Sequence, residues 1–203
     1  MNCKVISGLT EKTSKNLVLD AGAFFKDYDF ELDTFETAVA EGKLLGATKG
    51  GGSFKAVPTF RPIEIDGMRG DAKGDKVLEA WEVAMGANLV EVTKDTLTAG
   101  LGISTTEQVK ERAYESITGR MCITDEDYIG NITWIGNLSG STDLVVIQIF
   151  NALNTKGIEF SFEDKGELVI ETEFIGHFDM ADMSQVPFKI YLPVESVENE
   201  WEN

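Results

Sequence analysis

The chain has 203 residues, of which 42% are hydrophobic and 26% charged, with two cysteines and a formal net charge of −17. That length buries a substantial core and favours one domain with an insertion, spanning 1–203, over two; the composition excludes a disordered chain, and no apolar run approaches the roughly 18 residues of a membrane span. The acidic surplus repels phosphate and counts against a protein that grips a nucleic-acid backbone. Cys3 and Cys122 are too few to staple a fold and are expected as reduced thiols. The N-terminus MNCKVISGLT lacks a signal-peptide pattern, so a soluble, cytoplasmically made protein is expected.

The predicted elements are mostly strands. Lys15 to Ala21 reads as the first, and Phe24 to Phe30, after Gly22, as the second. Thr34 to Lys43 reads as a helix, with Phe35, Ala38 and Val39 at helical spacing, Thr34 as N-cap and Gly42 as stop. Leu44 to Phe54 follows as a glycine-dense loop around Gly50, Gly51 and Gly52. It feeds a strand from Phe54 to Asp66. Asp66-Gly67 and the polar turn Arg69 to Gly74, with Gly70 and Gly74, suit the positive φ of tight turns between antiparallel strands. A strand from Lys76 to Leu89 returns.

Val92 to Leu101 reads as a short helix with Thr93 as cap and Asp95 in its first turn. Thr105 to Tyr114 fits either another helix or an irregular excursion. Strands are expected again over Gly119 to Thr124, Tyr128 to Gly136 and Asp143 to Asn151. The last ten residues, VESVENEWEN, are polar and acidic enough for an arm or frayed tail. No repeat or proline-rich linker marks a boundary.

The cleanest alternation is a final hairpin, Gly157 to Glu163 turning through Asp164-Lys165-Gly166 into Glu167 to Ile175. Ile158, Phe160, Phe162, Leu168, Ile170 and Phe174 share one face. Glu159, Glu163, Glu167, Glu171 and Glu173 gather on the other. Like charges on neighbouring strands repel, so such a face needs water and counter-ions. The outer face of a half-buried sheet fits this pattern, and so does the wall of a water-filled lumen.

Catalytic signatures are poor. Gly46 to Ser53 lacks the GK[ST] order of a phosphate loop and leads into a strand, without helix-terminal N–H groups. His177 is the only histidine, which excludes a two-histidine zinc site, and no GxSxG elbow is present. Arg69-Gly70-Asp71 reads as turn chemistry. The carboxylate pairs Glu159/Glu171 and Glu64/Asp66 lack an aromatic cleft, and Thr124 to Asp127 lacks the DxDxDG calcium pattern. No enzyme, metal or cofactor is expected.

The order GATKGGGSF (46–54), EIDG (64–67), RG…KG (69–74) and a strand closing at Glu91, with GHFD and PFKIYLP between Gly176 and Pro193, resembles the major tail tube proteins of long, non-contractile phage tails. The resemblance spans most of the chain and is weakest from Thr93 to Asn131. It implies a mainly β fold with one or two short helices: a β-sandwich whose sheets join those of neighbours into a β-barrel ring on hexamerisation. Rings stacked into a tube would give a negatively charged conduit for DNA, which passes without specific binding. Implied lumen-wall residues are Glu159, Glu163, Glu167, Glu171 and Glu173. Lys49, Gly50, Gly51, Gly52, Ser53 and Phe54 are implied in ring stacking, with arms at 1–10 and 194–203. Implied partners are copies of the chain itself, a tape-measure protein, and tail-tip and tail-terminator proteins. No membrane is implied, and the place would be the virion, assembled in the host cytoplasm. A tube protein of a contractile tail or secretion system is the near alternative. A monomeric β-sandwich module binding carbohydrate or a host surface is the distant one, with Trp81, Trp134 and Trp201 as its aromatics.

Overall fold

The computed structural model describes residues 7–10, 12–139, 141–160, 162 and 164–194. These form nine strands and two α-helices: β1 (Ala23–Lys26), α1 (Phe35–Ala40), β2 (Thr48–Pro62), β3 (Lys76–Leu89), α2 (Lys94–Leu101), β4 (Ser104–Gln108), β5 (Glu115–Gly119), β6 (Ile129–Asn137), β7 (Leu144–Asn154), β8 (Ile170–Ile175) and β9 (Phe188–Tyr191). The fold is mainly β with antiparallel sheets, as the alternating segments predict. Neither α-helix is long and apolar enough to cross a membrane.

Seven strands make one sheet in the order β1-β6-β7-β8-β3-β2, with β9 also on β7, while β4 and β5 pair only with each other. The topology turns on β7. One edge pairs with β6; the other is shared by β9 over Val146–Ile149 and by β8 at Leu153 and Asn154. The β8-β3-β2 half thereby packs over the β1-β6-β7 half. Phe24, Ile132 and Ile149 from one meet Val83, Met85 and Phe174 from the other. Side chains alternate, so Phe25, Ile135 and Val146 point to the opposite face and bury Ala38 of α1 and Tyr28. Each fully buried large side chain contributes about 1.5–3 kcal/mol.

Both helices begin where their caps predict. Thr34 accepts from Thr37 N and Thr93 from Thr96 N, each in a capping box, an arrangement worth about 1 kcal/mol. β3, β6 and β7 also lie where alternation places them, whereas β2, expected over Phe54–Asp66, runs from Thr48 to Pro62.

Several segments differ, each for a local or tertiary reason. Lys15–Ala21 is not a strand: a 3-10 turn covers Thr13–Lys15, and Val18 makes only an isolated bridge to Leu138. The strand expected over Phe24–Phe30 stops at Lys26, because Asp27 adopts φ +52°. There Asn131 holds Tyr28 through its amide and carbonyl, both at 3.1 Å, and buried Gln148 donates to the same Tyr28 carbonyl at 2.9 Å. Thr105–Tyr114 is not a helix: Thr105–Gln108 belong to β4, and Val109–Tyr114 form the irregular tip joining it to β5. Gly119 ends a strand rather than starting one over Gly119–Thr124.

The final hairpin does not form. β7 ends in a turn where Asn154 Oδ1 accepts from Lys156 N at 2.9 Å and Gly157 N at 3.2 Å. Gly157 then takes φ +77°, and Ile158 turns into the crevice beside Gly100 and Thr172. Packing on α2 replaces strand pairing, which begins only at Ile170. Phe160 and Phe162, expected on an apolar inner face, are exposed instead.

Candidate assembly surface

β2 and β3 form a ribbon far longer than the body requires. Ala84 to Leu89 of β3 pair with β8, but from Val83 outward β3 pairs with β2 alone. Past Trp81, the last of its residues packed on the core, Lys76–Ala80 carry it roughly 16 Å from the body at about 3.3 Å per residue. Near its base, Phe54, Val83, Met85 and Trp81 face the core, with Phe54 and Trp81 tilted against Phe188. The same face continues outward past a bulge as the cross-strand pair Phe60–Leu78, exposed at 53% and 49%, and beyond the end of β2 Ile63, Ile65 and Met68 are exposed as well. The other face is mixed, with the ion pairs Lys55–Glu82 at 2.5 Å and Arg61–Glu79 at 2.6 Å beside partly exposed Val57 and Val77. An apolar core face therefore runs on where there is no core.

Asp66, Gly67, Gly70 and Gly74 lie in the connection between the two strands. The three glycines have positive φ and open space around them, so they serve backbone conformation rather than packing. Buried Asp75 accepts from Ala72 N at 3.0 Å and holds the turn closed.

The residues expected in a stacking loop are in β2. Lys49, Gly50, Gly51, Gly52, Ser53 and Phe54 belong to its first half, and Gly50 (φ +79°) and Gly51 (φ +69°) form a bulge between Thr48 and Gly52. Gly52 is pressed between Gly86 O and Phe24, so it is a packing glycine and not a hinge. The projecting element is further along the chain, between Pro58 and Trp81. Sequence reading missed its apolar residues because alternation looks the same on and off the body. Strand length was the available signal, since 14 and 15 residues exceed the usual five or six.

The five expected lumen-wall carboxylates do not share one strand face. Glu171 and Glu173 do, on the outer face of β8 opposite Asn88 and Gly86, and Glu82 follows on the same side of β3. Glu159 and Glu167 lie off any strand and meet Glu171 around a cleft of 640 Å³ that also receives Lys49 and Lys156. Lys49 pairs with Glu167 at 2.6 Å, and its hydrogen bond holds that carboxyl below the usual range; Lys156 pairs with Glu171 at 3.4 Å. Glu173 has no ion-pair partner among the described residues. Glu163 lies outside the described residues, as do 1–6 and 195–203 of the expected arms.

His177 is structural: Nδ1 lies 3.0 Å from Asn151 O and its ring meets Tyr128 edge-on. Trp81 and Trp134 pack against the core, and Trp134 Nε1 donates to Ala21 O at 2.8 Å, so they form no exposed aromatic platform. Among the described residues, no group of three acidic, histidine or cysteine side chains is placed to hold a metal ion. No family model matches the chain, and no curated protein matches it.

Proposed function

We propose that the chain is a self-assembling structural protein of the tail-tube kind, which closes into rings of six copies, in the manner of the family it resembles, and stacks them into a conduit. The observation that carries this reading is the β2–β3 ribbon. Its core-facing stripe runs about 16 Å past the body with Phe60 and Leu78 in water, and Ile63 and Ile65 are exposed beyond the end of β2, a surface that a neighbouring copy would cover. A second feature supports it. β2 is an edge strand of 15 residues with no partner on its outer side among the described residues, and long open edges are where sheets join between chains. On this reading ring closure pairs that edge with a neighbouring sheet, and the outer face of β8 and β3, bearing Glu171, Glu173 and Glu82, lines the lumen. There the acidic wall would repel the phosphates of passing DNA. The stacking element is the ribbon, in place of Lys49–Phe54. The virion location, the tape-measure, tip and terminator partners, and the lack of catalysis follow from the same reading.

Negative-stain electron microscopy over a concentration series tests it. Wild-type protein is expected to give rings or hollow tubes, and Phe60→Ser with Leu78→Ser to remain monomeric with an unchanged circular dichroism spectrum. A wild-type monomer at every concentration, even with preformed tube fragments as seeds, would overturn the proposal. Glu171→Lys with Glu173→Lys is expected to leave tubes intact and slow DNA release; unchanged release removes these residues from the lumen wall.

A further inference from the structure

The β4–β5 hairpin is separate from the main sheet. Two-stranded hairpins are marginal alone, and this one is held to the body by α2, by Lys94–Glu115 at 3.1 Å and by Arg120, which pairs with Asp127 and donates to Ser104 O at 3.0 Å. Its tip is ordered by Val109 N to Tyr114 O at 2.9 Å and Arg112 N to Val109 O at 3.3 Å, with Glu111 at φ +70°. That tip carries Tyr114, 68% exposed, beside exposed Val109. Lys110 and Arg112 lie between them in the turn, on either side of Glu111, and have no ion-pair partner among the described residues, in a chain with 35 acidic and 18 basic side chains.

A surface with the opposite chemistry occurs on the same chain. Leu32 is 80% exposed, with Phe30, Phe35 and Val39 also partly in water, and Asp29, Glu31 and Glu36 lie among them. Asp33 and Glu41 of this segment are paired with Lys43, whereas Asp29, Glu31 and Glu36 have no ion-pair partner among the described residues. An apolar pair whose turn carries Lys110 and Arg112 against one Glu111, a net positive charge, complements an apolar surface that carries carboxylates without ion-pair partners among the described residues.

We propose that the tip of the β4–β5 hairpin docks on the Asp29–Ala40 surface of a second copy of this chain, seating Tyr114 and Val109 against Leu32 and α1, with Lys110 and Arg112 toward Glu31 and Glu36. Two different patches meet, so the contact is heterologous and propagates from copy to copy, as a ring or filament needs. It is a contact additional to the β2–β3 ribbon and the sheet edges.

A photo-crosslinking p-benzoylphenylalanine replacing Tyr114 tests the contact on the full chain. Irradiation is expected to give a crosslinked dimer whose acceptor peptide contains residues 29–40. Lys110→Glu with Arg112→Glu in the same background is expected to lower the yield about tenfold, and adding Glu31→Lys with Glu36→Lys to restore it. No inter-copy product, an acceptor elsewhere, or a yield indifferent to charge reversal would each overturn the proposal. Tubes without this crosslink would sink the hairpin contact alone. A specific crosslink without tubes would sink the tube reading and leave the hairpin contact in place.

Discussion

Gly52→Ala is the sharpest test of how the two sheet halves fit together. A Cβ at position 52 would lie 2.2 Å from Gly86 O and 2.4 Å from Phe24 Cζ. Phe24 can turn only by disturbing a core in which it is 1% exposed, and the Gly86 carbonyl belongs to the β3 backbone opposite Ser53. Overpacking of this kind costs about 1–3 kcal/mol, and a weakened ladder hydrogen bond adds about 1 kcal/mol. A loss of about 3 kcal/mol is therefore expected from a typical total of about 5–15, which for a chain of this size lowers Tm by roughly 6–12 °C. Gly50→Ala is the control: its nearest neighbour, Asn88 Nδ2, would be 3.7 Å away, so only the left-handed backbone, at about 1 kcal/mol, opposes the substitution. Urea unfolding of both variants, followed by circular dichroism, gives the comparison. A Gly52→Ala variant no less stable than Gly50→Ala would refute the packing role assigned to residue 52.

Other perturbations probe the caps, the charges and the small hairpin. Thr93→Ala removes the α2 cap and is expected to cost about 1 kcal/mol, read as a lower urea midpoint with unchanged slope; Thr93→Ser is expected to recover most of it. Asp33 accepts from Lys43 Nζ at 2.6 Å and from Asp29 N at 2.8 Å, and these bonds hold its carboxyl below the ordinary value. Its stabilisation is thus present above the unfolded carboxylate range near pH ~4 and is lost as pH falls through the folded value. The urea-midpoint gap between wild type and Asp33→Asn should accordingly be open at pH 7 and close in acid; a gap that persists at pH ~2 contradicts this. For Asp127, burial opposes ionisation, but hydrogen bonds from Thr124 and the Arg120 charge outweigh it and lower its pKa. Arg120→Met leaves that carboxylate without its cation. Faster amide exchange in β4 and β5, with the main sheet unchanged, is the expected result.

What was legible in the sequence was what local chemistry decides. Thr34 and Thr93 announce their helices because a hydroxyl at that position satisfies an otherwise unpaired N–H, whatever surrounds it. Gly67, Gly70 and Gly74 mark a turn because tolerance of positive φ is a property of the residue itself. Alternation placed β3, β6 and β7 because period two is fixed by the strand backbone. The acidic surplus is likewise a plain count. None of these reports which face meets which.

The tertiary structure decided the rest. Glu159 and Glu167 alternate properly in sequence, yet the Asn154 turn and the packing of Ile158 on α2 remove them from any strand, leaving Glu171 and Glu173 on the sheet face. Gly50, Gly51 and Gly52 look alike as letters, but two form a bulge and the third admits the approach of Gly86 and Phe24. Phe54 and Phe60 stand on one face of one strand, and only the position of the body makes the first a core residue and the second an exposed one. Burial belongs to the assembled layers rather than to the segment, so the sequence by itself determined the elements and their turns, while the packing of the layers determined which side chains are left for a partner.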